Sequence, residues 1–196
     1  MTLTETYNDL LEKLSIPRNS EMVFDFSDKG TNHTYLPFYE RYFEPYRHGA
    51  SILEIGVMTG GSLLLWQQYF DIVVLKGIDL RQGFNQDFDW QDHIRATWCW
   101  GVDTTDAQQV PDLAQYQFVI DDGLHTLAGQ WATFENYWPY VKKGGTYFIE
   151  DIENEHNAQE LRSRIQAQLG NAVDIEHYRG RVNERADDQI LAVTRK

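Results

Sequence analysis

Apolar and polar positions along the chain change period several times, and each change marks an element. Tyr7, Leu10, Leu11 and Leu14 recur at helical spacing and predict an amphipathic helix that stops at Pro17. A polar loop follows, Ser27-Asp28-Lys29-Gly30-Thr31-Asn32-His33, and a second helix is predicted from Tyr35 to about Tyr46. Short apolar runs then alternate with helical patterns. Strands are predicted at Ser51 to Gly56, Val73 to Asp79, Ala96 to Val102, Phe118 to Asp121 and Thr146 to Glu150, with Lys143-Gly144-Gly145 as a stop before the last of them. Helices are predicted at Gly61 to Tyr69 and Leu127 to Tyr137, with a short turn near Trp90 to Ile94. A last helix, Ala158 to Leu169, precedes two strand-like runs, Ala172 to Tyr178 and Gln189 to Thr194, which predict a terminal hairpin joined by the polar loop Gly180 to Asp188.

Strands alternating with helices predict an α/β fold with a doubly wound, mostly parallel sheet and a C-terminal antiparallel hairpin. No internal repeat, low-complexity tract or Pro/Ser-rich linker divides the chain. One domain is therefore expected, with residues 1–48 as a helical segment packed on a domain formed by residues 49–196.

Composition narrows the function classes. The 196 residues carry a net charge of −13, with 30 acidic against 17 basic side chains, which counts against a nucleic-acid substrate. The richest basic stretch, Arg179 to Arg185, is interrupted by Glu184 and followed by Asp187-Asp188, and reads as a solvated turn. No apolar run approaches the roughly 18 residues of a membrane span, and the N-terminus lacks the order of a secretory signal. A cytoplasmic protein with no membrane partner is the expectation. The single cysteine, Cys99, excludes an intramolecular disulfide and is expected in the core. The aromatic positions Tyr35, Phe38, Tyr39, Tyr42 and Phe43 suit packing on the chain's own sheet or on a second copy, as in a homodimer.

The chemistry concentrates where strands end. Ile52-Leu53-Glu54-Ile55-Gly56-Val57-Met58-Thr59-Gly60-Gly61-Ser62 is a strand, a glycine turn and a helix start, the arrangement that lets backbone and helix N-terminal amides approach a nucleotide. Gly56, Gly60 and Gly61 are the close-approach positions, with Ser62 opening the helix. Asp79 closes the second strand, where a carboxylate accepts ribose hydroxyls. Asp103 follows the third strand and is placed to accept from an adenine amino group, although Asp103-Thr104-Thr105-Asp106 equally fits turn chemistry. Glu54 and the loop holding Lys29, Gly30 and Thr31 are candidates for the charged amino-acid end of a cofactor. Asp121 is a further candidate cofactor contact.

Two neighbouring strand ends bring more acids together, in Ile120-Asp121-Asp122-Gly123-Leu124-His125 and Ile149-Glu150-Asp151. Carboxylates this close repel unless a cation neutralises them, and a hard divalent ion with oxygen ligands, Mg²⁺, fits best. His125, on the turn after Asp122, is the candidate general base.

The pattern Glu54-x-Gly56-x-x-x-Gly60-Gly61 resembles the first motif of class I S-adenosylmethionine-dependent methyltransferases. With Asp28-Lys29-Gly30-Thr31-x-His33-x-Tyr35, Gly77-Ile78-Asp79, Ile120-Asp121-Asp122-Gly123-x-His125 and Gly144-Gly145-x-Tyr147-x-Ile149-Glu150-Asp151, the chain resembles the macrocin/mycinamicin-type metal-dependent sugar O-methyltransferases and their cephalosporin hydroxylase-like relatives. The resemblance covers most of residues 25–152. It implies a seven-stranded Rossmann-like sheet, S-adenosylmethionine and Mg²⁺ as cofactors, Asp122, Glu150 and Asp151 as metal ligands, His125 as the base and Asp79 on the ribose. The chain departs from the pattern at Leu124, where Ser is common, and at Gly101-Val102-Asp103, where a Gly-Asp pair is commoner. The expected reaction is O-methylation of a small-molecule diol, a sugar or natural-product intermediate. A catechol-type phenol acceptor, a cofactor-binding protein without turnover and a metal-assisted hydrolase are the alternatives.

Overall fold

The computed structural model describes residues 1–17, 20–71, 73–180 and 185–196, and the backbone alone for Phe24. Its helices are α1 (Leu3–Lys13), α2 (Met22–Phe26), α3 (Leu36–Phe43), α4 (Gly61–Tyr69), α5 (Leu127–Tyr137) and α6 (Glu155–Leu169). Its strands are β1 (Ala50–Ile55), β2 (Val73–Asp79), β3 (Ala96–Trp100), β4 (Tyr116–Asp121), β5 (Val141–Ile149), β6 (Val173–Arg179) and β7 (Gln189–Arg195). They form one seven-stranded sheet in the order β3-β2-β1-β4-β5-β7-β6. The first five strands run parallel, and β7 inserts antiparallel between β5 and β6. The doubly wound sheet and terminal hairpin are those expected from the sequence.

Alternation within the central strands explains the two layers. Ile52, Phe118, Ile120 and Phe148 face the cluster built by α1, α3 and α4, whereas Leu53, Ile55, Val119, Tyr147 and Ile149 face the cluster built by α5 and α6. Both faces are covered, so these strands read as continuous apolar runs. The aromatic rings of α3 are consumed in this packing: Phe43 lies 4.7 Å from Phe118 and Tyr39 lies 4.6 Å from Phe148, centroid to centroid. Tyr35, Phe38, Tyr39 and Phe43 are all buried against the chain's own sheet.

Several boundaries differ from expectation for local reasons. Helix α1 starts in a capping box in which Thr2 Oγ1 accepts from the Glu5 amide and Glu5 Oε2 accepts from the Thr2 amide. Helix α6 begins at Glu155 rather than Ala158 because the Asn154 side chain caps it, accepting from the Asn157 amide at 3.0 Å. The five-residue α2 was not expected. Strand β5 begins at Val141 instead of Thr146, running through the glycine step. Tyr116 pairs with Val141 and Phe118 with Thr146, a bulge that Gly144 permits at φ 74°. Cys99 is half-buried rather than core, since β3 is an edge strand. Of the expected polar loop at 180–188, residues 181–184 lie outside the described residues. Among the described residues no helix is long and apolar enough to cross a membrane.

Candidate active site

Where the sheet's central strands end, the chain folds around a cavity of about 740 Å³. One wall is the turn between β1 and α4. Gly56 there adopts φ 84°, and a Cβ on it would stand 1.9 Å from the Asp122 carbonyl oxygen. Gly61 is as tightly held, with the Phe26 carbonyl 1.6 Å from a hypothetical Cβ. These glycines let the turn press between α2 and the end of β4. Asp79 braces it from the neighbouring strand, its Oδ2 accepting from the amides of Val57 (2.8 Å) and Met58 (3.1 Å) and its Oδ1 from the Arg81 amide (2.8 Å). Asp79 lines the cavity, and its oxygens keep lone pairs for a ligand.

Glu54 is fully buried behind this turn. Ser62 Oγ donates to it, and Trp66 Nε1 donates to its Oε2 at 2.7 Å. Burial pushes its carboxyl from 4.5 up to about 7 despite those donors and the Lys29 charge. A carboxyl protonated more readily in the folded chain lowers stability as pH rises from 4.5 through about 7. Glu54→Gln is expected to remove that slope and to leave the variant roughly 2 kcal/mol more stable than wild type at about pH 8. Denaturant midpoints measured on both sides of the window check this; parallel pH profiles for the two proteins would rule it out.

The second wall is built by β4 and β5. Asp122 N donates to Ile55 O at 2.9 Å and Glu150 N donates to Asp121 O at 3.0 Å, which continues the ladder just past the strand ends. Alternation sends Asp121 and Asp122 in different directions. Asp121 turns to the α5 side, where its carboxylate accepts from Tyr147 OH at 3.2 Å and the Gly123 amide at 3.3 Å, and burial raises its carboxyl to about 7. Asp122 turns to the cavity. His125 Nε2 lies 3.7 Å from Asp122 Oδ1, and its ring is 42% exposed. Asp151 stands in the left-handed region at φ 50°, where Asp is tolerated better than most residues, and Tyr35 OH donates to its Oδ1 at 2.8 Å. Burial, then the Asp122 charge, raises the Asp151 carboxyl to about 6. One ligand atom from each of Asp122, His125 and Asp151 lies within 4.8 Å of the others, and the same holds for Asp28, His33 and Asp151.

The cations in this cluster come from the N-terminal loop. Lys29 Nζ donates to Asp122 Oδ2 and Glu150 Oε2, each at 2.6 Å. Burial alone would lower its ammonium, but Asp122 and Glu150 hold it above the ordinary lysine range. Burial pushes the Glu150 carboxyl up, with Lys29 opposing, and Tyr39 OH donates to the other Glu150 oxygen. His33, almost fully buried, has Asp151 Oδ2 at 3.4 Å, Asp28 Oδ2 at 3.5 Å and Asp188 Oδ1 at 3.6 Å. Its desolvation is overcome by Asp28 and Asp151, so its imidazolium is favoured.

Of the expected site residues, Lys29, Gly56, Ser62, Asp79, Asp103, Asp122, His125 and Asp151 line the cavity. Gly30, Thr31, Glu54, Gly60, Asp121 and Glu150 do not. Gly30 packs against Tyr7 and Leu36, and Gly60 against Phe84 and Ile94. Thr31 Oγ1 instead donates to Asp28 O at 3.4 Å. The carboxylates of Glu54, Asp121 and Glu150 are satisfied by partners within the protein. Asp103 lines the cavity, and its Oδ1 accepts from Thr105 N (2.9 Å) and Thr105 Oγ1 (2.7 Å) in an Asx turn. Tyr35, Tyr39 and His33 were missed as partners of the acids, because nothing in the local pattern links residues 33–39 to strand ends more than a hundred positions away. Trp66 and Trp131 stay out of the cavity; Met58, Leu80 and Leu124, all exposed, form its apolar rim.

No protein-family profile matches the chain. It is 32% identical over 142 residues to 8-demethyl-8-alpha-L-rhamnosyl tetracenomycin-C 2'-O-methyltransferase of Streptomyces olivaceus, covering 66% of this chain and 36% of that protein. It is 33% identical over 135 residues to mycinamicin VI 2''-O-methyltransferase of Micromonospora griseorubida, covering 63% and 32%. The chain thus spans about a third of the length of the curated relatives it matches. Among solved structures, MycE methyltransferase from the mycinamycin biosynthetic pathway, in complex with Mg, SAH and mycinamycin VI, superposes with a TM-score of 0.65 at 24% identity, over 97% of this chain and 54% of that one. A methyltransferase from Pyrococcus furiosus superposes at 0.58 with 10% identity, over 81% of each chain. The fold is the Rossmann-like methyltransferase fold, and in sequence the chain is similar to sugar O-methyltransferases of macrolide and tetracenomycin pathways.

Proposed function

We propose that this protein is an Mg²⁺-dependent O-methyltransferase that uses S-adenosylmethionine to methylate a hydroxyl of a small-molecule diol, a sugar or a glycosylated natural-product intermediate. The observation that carries this reading is the convergence of Asp122, His125 and Asp151 at one wall of a cavity whose other wall is a glycine turn braced by Asp79. The Asp122 and Asp151 carboxylates suit the metal, since their oxygens match a hard cation and open positions remain for an acceptor, and His125 beside them is left to act as the base. The glycine turn suits the cofactor: Gly56 has no side chain to hold a ligand off the backbone, and Asp79 keeps lone pairs for ribose hydroxyls.

Asp122, Glu150 and Asp151 would hold the cation, which would supply a Lewis acid that makes a nearby hydroxyl more acidic. His125 Nε2 accepts the acceptor's proton, and Asp122, 3.7 Å away, stabilises the resulting imidazolium. Lys29, Gly56, Ser62, Asp79 and Asp103 bind and orient the cofactor, and Met58, Leu80 and Leu124 keep water from the cavity mouth and receive the acceptor's apolar part. No covalent intermediate with the protein is needed, because the methyl passes directly to the acceptor oxygen.

Calorimetric titration of S-adenosylhomocysteine with and without Mg²⁺, followed by a panel of glycosides and catechols, tests the reading. Micromolar binding with metal-dependent turnover of a glycoside supports it, catechol turnover alone moves the acceptor to phenols, and no cofactor binding under either condition overturns it. His125→Ala is expected to lower turnover roughly a hundredfold while cofactor and metal affinities stay near wild type. Unchanged turnover in that variant would remove His125 from the proton transfer.

A further inference from the structure

We propose that the Lys29 ammonium fills the seat a divalent cation takes, so that metal binding expels this side chain into the cavity. The inference rests on the metal-dependent reading above and concerns how the site is held before the metal arrives.

Lys29 Nζ touches two of the three carboxylates assigned to the metal, at Asp122 Oδ2 and Glu150 Oε2, each at 2.6 Å. Glu150 leaves no other approach. Its carboxylate is 1% exposed and does not line the cavity, and its remaining oxygen accepts from the buried Tyr39 hydroxyl. A cation that ligates Glu150 from the cavity side must therefore stand where the ammonium stands. The ammonium is a fitting placeholder: it is buried, it neutralises the Asp122 and Glu150 pair, and it keeps both carboxylates aimed at one point. A dication wins the exchange because it carries twice the charge and approaches carboxylate oxygens to about 2.1 Å. Lys29 has somewhere to go, since it sits on a one-turn 3₁₀ segment, Asp28–Gly30, that already borders the cavity, and its four-carbon stem is flexible.

Amine acylation of the wild-type protein, read by mass spectrometry with chelator and then with saturating Mn²⁺, tests this directly. The expected result is that Lys29 is protected without metal and reacts about tenfold faster or more with it, while Lys13, Lys76, Lys142, Lys143 and Lys196 are unchanged. Calorimetric Mn²⁺ titration of Lys29→Met gives a second readout. The variant should bind metal at least about tenfold more tightly, having no resident charge to displace, and should lose thermal stability that Mn²⁺ restores. Lys29 remaining protected at metal saturation overturns the proposal, as does unchanged or weaker Mn²⁺ affinity in a folded variant. S-adenosylhomocysteine titrated into the same samples separates the two readings: metal-dependent exposure of Lys29 without cofactor binding sinks the methyltransferase reading alone, and cofactor binding with Lys29 still protected sinks this one alone.

Discussion

Asp122→Asn is expected to abolish measurable Mg²⁺ binding and to lower turnover by roughly a thousandfold or more, while S-adenosylhomocysteine binding stays within about threefold of wild type. The split follows from position. Asp122 is the carboxylate that reaches His125 (3.7 Å) on one side and Lys29 (2.6 Å) on the other, so it joins the proposed metal ligands to the proposed base. The glycine turn and Asp79 do not depend on that charge. An amide in its place keeps the shape but removes a negative ligand, and it leaves Lys29 with a single close carboxylate partner, Glu150. Calorimetry with metal and cofactor separately, alongside turnover, checks the prediction. Full activity in Asp122→Asn would show that the acidic cluster is not the metal site.

Gly56→Ala is the second large effect, expected to cost roughly 3–5 kcal/mol of stability. For a domain of this size that lowers the unfolding midpoint by about 6–20 °C. Two terms add: a side chain at φ 84° is strained, and the new Cβ would lie 1.9 Å from the Asp122 carbonyl, a backbone atom that cannot swing away. Relief requires the end of β1 to separate from the turn after β4, which moves Asp122 and His125 together away from the glycine turn that forms the cavity's other wall. Thermal unfolding and cofactor titration should fail together. A variant with wild-type midpoint and affinity would mean that the turn has room the structure does not give it.

Much of the fold was readable because its signals are local. The runs ending at Ile55, Asp79, Asp121 and Ile149 are apolar on both faces, and glycines or acids punctuate their ends, so strand positions and the strand-end site followed from period and punctuation. Helices α4 and α5 were legible to the residue. What escaped was set by distant partners. Lys29 lines the cavity as a cofactor contact would, but its pairing with Glu150, 121 positions away, leaves no trace in the local pattern. Tyr39 read as one aromatic among many and His33 as a member of the cofactor loop, and only the docking of α3 and its preceding loop gives them their carboxylates. The Val141 start of β5 was hidden because a glycine pair normally ends a strand, whereas here it bulges one.

The insertion of β7 beside β5 has a consequence for how the chain comes to life. The loop that carries Lys29 and His33 is pinned by residues far along the sequence: Thr34 N donates to Asp188 Oδ1 at 3.1 Å, and Tyr35 OH lies 3.2 Å from Gln189 O. Residues 34 and 35 therefore wait for residues 188 and 189. During synthesis α1 and α3 can cover the growing sheet, but the acids of β4 and β5 stay without their lysine and histidine until the stretch around residues 188–195 has emerged and zipped into place. A chain cut before residue 188 should thus keep the parallel strands of its sheet while the loop that carries Lys29 and His33 loses two of its anchors, so the order of translation sets when the acidic cluster is completed.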